Sequence, residues 1–378
     1  MIQSTLSSDD TEVMRSAVAR VAAGPELSKD LSYDDTREVM RIILSGHADP
    51  VQSAVYFIGL RMKRETDEEF RAIMDATRFE TQTVTAQAKN VVVMAEPYNG
   101  FNRTVPGSLF SLPILAACGV PAYSHGVELV GPKFGVTHHT IMRALGATPL
   151  KSAQAVADQL DEKDVGWGYV DQAQFCPALH SLTQLRARMI KRPAMSTTES
   201  MLCPIKGVEG THLVTGYVHK PYKDTYAMLA RHCDFQSYLL IKGTEGGVVP
   251  SFRAPARVVR GVKKTTSANS EYEHGEVEFD LNEISMQREY RALDIPDTVT
   301  KSNITGLKWD IDSLADTCAQ KGLAALGGEQ GAVQDAAIMA AALILWHQRV
   351  CNDMAEAVKT AKKTIASGEA LARLNALI

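Results

Sequence analysis

Four cationic side chains, Arg186, Arg188, Lys191 and Arg192, fall together at the end of one predicted helix. Guanidinium and ammonium groups at that density can neutralise phosphates, the sequence-independent part of nucleic-acid binding. A solvated helix face is the plainer alternative, because helix C-termini favour Lys and Arg through the macrodipole alone. A second basic run, Arg253, Arg257, Arg260, Lys263 and Lys264, is followed by an acidic stretch that can neutralise it. Tyr98 and Phe101 bracket Asn99-Gly100 in a loop that also carries Arg103. Such aromatics stack on exposed bases in some proteins, although anchoring a loop to the core is their commoner use. Asn99-Gly100 alone also fits a tight turn. His138 and His139 follow Thr137 with no acidic partner nearby in sequence, and read as structural or exposed rather than as metal ligands. His125, before Gly126, reads as a turn residue capping a strand end, without a nearby nucleophile to serve as general base.

The elements that position these residues follow from hydrophobic pattern and punctuation. Ser32 is a predicted N-cap for a helix carrying Val39, Met40, Ile43 and Leu44, which stops at Gly46. Pro50 opens the next helix, and Thr66 with Glu69 forms a capping box for a third. Val91-Val92-Val93 reads as a buried strand, followed by the Pro97–Gly107 loop, a helix from Leu109 to Cys118 and a strand at 121–123. Residues 132–145 and 151–160 are predicted helices, with Val165 to Val170 a strand. A helix from Pro177 through Met189 is broken by Pro193. Leu213–Val218 and Ser237–Ile241 are predicted strands, the latter followed by Lys242-Gly243-Thr244-Glu245-Gly246-Gly247. Residues 265–290 read as a polar surface excursion, and from Ser313 onward the chain reads as helix. This alternation implies an α/β fold: a small helical domain (1–87 and 175–200) plus a larger α/β domain (88–174 and 201–378), with a central mixed or parallel sheet flanked by helices. The short one-faced helices of the first domain lead us to expect a homodimer. In such sheets ligands sit beyond the strand carboxyl ends, which makes the Pro97–Gly107 loop the default site.

Composition excludes several classes. The chain has 378 residues, 45% hydrophobic and 22% charged, with net charge −4. That is ordinary for a globular protein and argues against a surface coated in basic charge. The six cysteines are scattered with no CxxC pair, so reduced thiols in a cytoplasmic setting are expected rather than a disulfide framework or a zinc site. Met1 to Ser8 lack the features of a signal peptide, and no apolar run reaches the roughly 18 residues of a membrane span.

The segment LSYDDTREVMRIILSGHADPVQSAVYFIGLRMKRETDEEF resembles the N-terminal helical domain of anthranilate phosphoribosyltransferases and class II nucleoside phosphorylases. GGEQGAVQDAAIMAAALILW and EAVKTAKKTIASGEALARLNAL are similar to the C-terminal helices of that glycosyltransferase family 3 superfamily. The resemblance implies a nucleoside phosphorylase/phosphoribosyltransferase class II-like fold. It also implies a cleft formed by Tyr98, Asn99, Gly100, Arg103, His125, Gly126, Lys133, Gly243, Thr244 and Glu245, with Arg186 matching a substrate-site arginine. The active enzymes carry a GTGGD loop where this chain has Glu96-Pro97-Tyr98-Asn99-Gly100-Phe101, and their Asn-x-Ser-Thr segment becomes Thr104-Val105-Pro106-Gly107-Ser108. Only His125 and Gly126 remain of a Lys-His-Gly-Asn-Arg stretch. The acidic pair that holds Mg²⁺ is replaced by Val248 and Val249, and valine offers no oxygen ligand.

Pro97-Tyr98-Asn99-Gly100, Phe175-Cys176-Pro177 and Gly243-Thr244-Glu245-Gly246 are similar to the YbiB-type branch of the superfamily, a nucleic-acid-binding group without transferase activity. The resemblance implies no catalytic residue and no resident cofactor, with Mg²⁺ relevant only where phosphoribosyl pyrophosphate still binds. It implies nucleic acid as partner, bound by Arg186, Arg188, Lys191 and Arg192, without base-specific motifs and without a membrane role. Two further readings stay open: an active glycosyl- or phosphoribosyltransferase with an unidentified acceptor, and a regulatory dimer that binds another protein.

Overall fold

Every helix of the N-terminal bundle begins at a side-chain cap supplied by the sequence. In the computed structural model, which describes residues 7–264 and 271–378, Ser7 caps α1 (Ser8–Val21) and Ser32 caps α2 (Tyr33–Leu44). Asp49 caps α3 (Pro50–Lys63), with Pro50 in the first turn, and Thr66 with Glu69 forms the full capping box of α4 (Asp67–Phe79). Each such cap contributes about 1 kcal/mol. Glu69 does more than cap: its buried carboxylate also accepts from the Leu31 amide at 2.9 Å and from Lys63 Nζ at 2.7 Å. One side chain thus ties α4 to both the preceding loop and α3.

Among the described residues nine strands follow: β1 (Val84–Thr85), β2 (Asn90–Ala95), β3 (Ala122–Gly126), β4 (Trp167–Asp171), β5 (Ile205–Lys206), β6 (Gly210–Tyr217), β7 (Ser237–Lys242), β8 (Ala256–Lys263) and β9 (Tyr272–Phe279). Seven of them form a mixed sheet in the order β4-β3-β2-β6-β7-β8-β9, while β1 and β5 pair separately. The run from β4 to β7 is parallel and β8 and β9 add antiparallel at one edge. Alternation along β2 divides the interior between the two faces. Val91 and Val93 face a core shared with α1–α4, whereas Val92 and Met94 face α5 (Ser111–Ala117) and the C-terminal helices. Of those, Ala332–His347 is buried along nearly its whole length.

Three expectations change. The predicted helix over 132–145 shrinks to α6 (His138–Ala144), because Phe134 sits at φ +47° and a capping box between Thr137 and Thr140 starts the helix afresh. The helix expected from Pro177 through Met189 is divided into Pro177–His180 and Thr183–Met189. The excursion at 265–290 contains the edge strand β9, whose acidic side chains Glu273, Glu276 and Glu278 are exposed. Residues 265–270 of that excursion, and the start of the chain read for a targeting signal, lie outside the described residues. Among the described residues no helix is long and apolar enough to cross a membrane, and the six cysteines are unpaired.

Candidate functional site

The five parallel strands end on one edge of the sheet, at Ala95, Gly126, Asp171, Tyr217 and Lys242. The loops beyond them form two neighbouring regions of opposite character, one sealed and one open.

The sealed region is built on Pro97–Phe101. Tyr98 and Phe101 are 4% and 5% exposed, so both are loop anchors and neither offers a free face for stacking. Tyr98 Oη and His125 Nδ1 share a 2.5 Å hydrogen bond. His125 belongs to β3 rather than to a turn, and burial lowers its pKa to about 3, so it is neutral. Phe101 exchanges two 2.9 Å backbone hydrogen bonds with Val136, and Gly135 N donates to Asn99 O at 3.0 Å. Gly100, at φ +70°, lies so close to this second loop that a Cβ would stand 2.3 Å from Gly135 O. From the other side Gly247 packs against Glu96 and Phe101, where a Cβ would meet both at 2.7 Å. Between Pro97, Tyr98, His125, Gly126 and His138 only about 10 Å³ is left, at the lower limit of what one water requires.

Beneath that seal run buried polar links that sequence spacing does not reveal. His138 meets Ser124 Oγ at 2.9 Å through Nδ1 and Ser108 Oγ at 3.3 Å through Nε2. A histidine beside two serines suggests nucleophilic chemistry, but all three are buried and burial lowers the His138 pKa to about 3. His139 does have an acidic partner: Asp171 Oδ2 is 2.7 Å from its Nδ1, and Tyr169 donates to the same oxygen. Both histidines are buried and structural in geometry. Glu96, directly after β2, accepts the Val248 amide at 3.2 Å, and burial raises its pKa to about 7. Val248 itself lies in the apolar core.

The open region is a groove of about 640 Å³ lined by Arg103, Lys133, Arg192, His219, Lys242, Thr244, Arg257 and Arg291, with Glu245 its one acidic residue. Arg257 is held by Glu278 at 2.6 Å and Lys133 by Glu245 at 2.8 Å. Among the described residues Arg103, Arg192, Lys242 and Arg291 make no salt bridge, and all four are exposed. Lys242, His219 and Arg291 were missed as site residues, and Arg257 was discounted with the second basic run. Lys242 could have been found from its place beside Gly243, but nothing in sequence links Arg291 to it.

The Arg186–Arg192 cluster is not one patch. Its helix is only seven residues long, and Ile190 then turns the chain in the left-handed region at φ +60°. Arg186 points inward: it is fully buried and holds Glu199 through two bonds of 2.6 and 2.7 Å. Arg188 and Lys191 are exposed elsewhere, and only Arg192 reaches the groove. The second basic run is largely neutralised: Arg257 pairs with Glu278, Lys263 with Asp234 and Lys264 with Glu271, while Arg260 lies over the Trp346 ring.

A smaller cavity of about 160 Å³ lies between the bundle and the sheet edge, lined among others by Arg61, Glu96, Asn99, Glu199, Tyr226 and Glu245. Asn99 Oδ1, buried there, has no hydrogen-bond partner among the described residues. The cleft residues expected together fall into overlapping sets. His125 and Gly126 lie at the seal, and Tyr98 lines both the seal and the small cavity. Arg103, Lys133, Gly243 and Thr244 lie in the groove, Asn99 faces the small cavity, and Glu245 lines both of these. Gly100 lines none of the three.

Comparison with known proteins agrees with this architecture. Residues 15–79 match the glycosyl transferase family, helical bundle domain. An anthranilate phosphoribosyltransferase of Verminephrobacter eiseniae is 26% identical over 352 residues, 93% of this chain and 94% of the relative. An uncharacterized protein of Aquifex aeolicus is 28% identical over 239 residues, 63% of this chain and 71% of the relative. Among solved structures, anthranilate phosphoribosyltransferase from Thermus thermophilus superposes with TM-score 0.71 at 19% identity, covering 97% of this chain and 98% of that one. The Saccharomyces cerevisiae enzyme in complex with PRPP and Mg gives TM-score 0.71 at 14% identity, with 97% of each chain covered. Sequence and fold together make the chain similar to the anthranilate phosphoribosyltransferases of the glycosyltransferase family 3 superfamily, and support a phosphoribosyltransferase-like protein.

Proposed function

We propose that this protein binds nucleic acid through the open groove and no longer transfers phosphoribosyl groups. The observation that carries this reading is the set of four exposed cations, Arg103, Arg192, Lys242 and Arg291, without a salt bridge among the described residues and lining one groove beside a sealed loop. Cations so arranged bind a phosphate backbone without reading bases. The seal argues against transfer. The loop that would approach a pyrophosphate is zipped to 134–136 and anchored by two buried aromatics.

The residues present also do not fit Mg²⁺, which requires oxygen ligands in octahedral array. Val248 and Val249 offer none, and Glu245 is already bound by Lys133 and by backbone amides. We infer that the chain resembles the YbiB-type branch in this respect. We also infer a homodimer through the exposed Val51, Val55 and Met62 of α3, and a cytoplasmic setting that keeps the thiols reduced.

The test is fluorescence anisotropy of a labelled single-stranded oligonucleotide. With about four phosphate contacts, affinity should fall roughly 50-fold between about 50 and about 200 mM salt. Arg103→Glu and Arg192→Glu should each weaken it, whereas no binding at the lower salt would remove the reading. The second reading, a transferase acting on an unidentified acceptor, is favoured by the small cavity and its unsatisfied Asn99 Oδ1. It requires calorimetric heat with phosphoribosyl pyrophosphate and Mg²⁺.

A further inference from the structure

One carboxylate in the groove is bound in the manner of a ligand. Glu245 Oε1 accepts from the amides of Arg103 and Thr104 and from the Thr104 hydroxyl, each at 3.0 Å. Its Oε2 takes Lys133 Nζ at 2.8 Å and a long 3.4 Å bond from the Asn102 amide. Three successive backbone N–H groups converging with a hydroxyl and an ammonium make an anion-binding nest, and here the chain fills it with its own side chain.

Two further observations mark Glu245 as an occupant rather than a wall. It holds φ +54°, a conformation that residues other than glycine rarely adopt, within a loop framed by Gly243, Gly246 and Gly247. Its neighbour Thr244, which lines the same groove, has a buried hydroxyl without a hydrogen-bond partner among the described residues. Burial acts to raise the Glu245 pKa, but the Lys133 charge and the amide bonds outweigh it, so the carboxylate is ionised at neutral pH.

We propose that the Asn102–Thr104 amides, the Thr104 hydroxyl and Lys133 form a seat for one phosphate group, which Glu245 occupies as an internal stand-in until a phosphate-bearing ligand displaces it. A carboxylate and a phosphate both present oxygens to such donors, and phosphate adds a third oxygen and more charge. Arg103 and Arg192 stand beside the seat and favour that extra charge, and both act on Lys133 through space. The seat rests on the groove being an anion site, not on the anion being a polymer. A phosphate monoester and a phosphodiester end share the chemistry.

The test titrates inorganic phosphate into the full chain and into Glu245→Gly, a substitution suited to the positive φ, with binding read by calorimetry. If the closed form dominates, apparent affinity is reduced by the open fraction, so vacating the seat should tighten phosphate binding by about tenfold or more. Adding Lys133→Met should abolish that gain. A folded Glu245→Gly variant that binds phosphate no tighter than the parent overturns the proposal, and so does a gain that survives Lys133→Met. Should Glu245→Gly fail to fold, Glu245→Gln, which loses the charge but keeps the shape, is read the same way. A parallel titration with single-stranded oligonucleotide separates the two readings. Phosphate gain without oligonucleotide binding keeps the seat and removes the polymer. Salt-sensitive oligonucleotide binding without phosphate gain keeps the groove and removes the seat.

Discussion

The sealed loop and the open groove lie on the same edge of one sheet, yet they treat polar groups in opposite ways. At the seal, Tyr98, His125, Ser124, His138, Ser108 and Glu96 are buried, linked to one another and desolvated toward neutrality. In the groove, Arg103, Arg192, Lys242 and Arg291 are exposed and make no salt bridge among the described residues. A region that binds an external anion must leave cations unsatisfied, whereas a region that has become core must satisfy or neutralise everything it holds. The phosphoribosyltransferase-like fold supplies strand ends for either use. In this chain Pro97–Phe101 beyond β2 and the His125 end of β3 are core, whereas Arg103 and Lys133, further along the same two loops, join the end of β7 at the groove surface.

The largest effect expected from breaking this contrast is at Arg186. Because Arg186 and Glu199 form a buried pair, Arg186→Ala should destabilise the protein by about 3–5 kcal/mol, read by urea denaturation. Arg192→Ala, six residues on, should change stability by less than about 0.5 kcal/mol. Equal losses for the two would erase the distinction between core and groove cations.

Next in size, Tyr98→Phe leaves the His125 nitrogen without its partner and should cost about 1–3 kcal/mol. Retained stability would show the seal to be held by Phe101 and the backbone alone.

A third prediction concerns pH. Glu96 is raised to about 7 from an unfolded value of 4.5, because burial disfavours its charge. The folded state then binds more protons than the unfolded one between those values, so this group's contribution is present below pH 4.5 and lost as pH rises through 7. His125 and His138, lowered to about 3 by burial, act oppositely: their contribution is present above pH 6.5 and lost as pH falls toward 3. Glu96→Gln should remove the first slope and leave the second. Identical pH–stability curves for parent and variant would contradict the burial of an ionisable Glu96.

How much of this was legible in the sequence depends on range. The Ser32 cap, the Thr66–Glu69 box and the Val91-Val92-Val93 strand are local, and each forms as read. The offset of the second basic run by acidic residues is also found, because β8 and β9 are a hairpin and their charges lie across from one another. Arg186 was misread because a seven-residue helix turns one side chain inward while its neighbours face water, and its partner Glu199 lies beyond the Ile190 turn. The Asp171 partner of His139 lies on a different strand, and the Arg291 wall of the groove comes from a distant loop. Composition could not expose the groove either, since a net charge of −4 averages over an acidic surface elsewhere. The seal was half legible: loop anchoring was the commoner reading of Tyr98 and Phe101, but their zipper to 134–136 depends on Gly135 and on where α6 begins.

The smallest effect on stability should carry the clearest functional consequence. The most direct measurement is the slope of log affinity against log salt for a labelled single-stranded oligonucleotide, compared between the parent protein and an Arg103→Ala/Arg192→Ala variant of unchanged stability. Removing two phosphate contacts should lower the magnitude of that slope by about 1.4, at roughly 0.7 per contact on a single strand. A parent protein with no salt-dependent binding, or a slope unchanged in the variant, would contradict the assignment of anion binding to the groove.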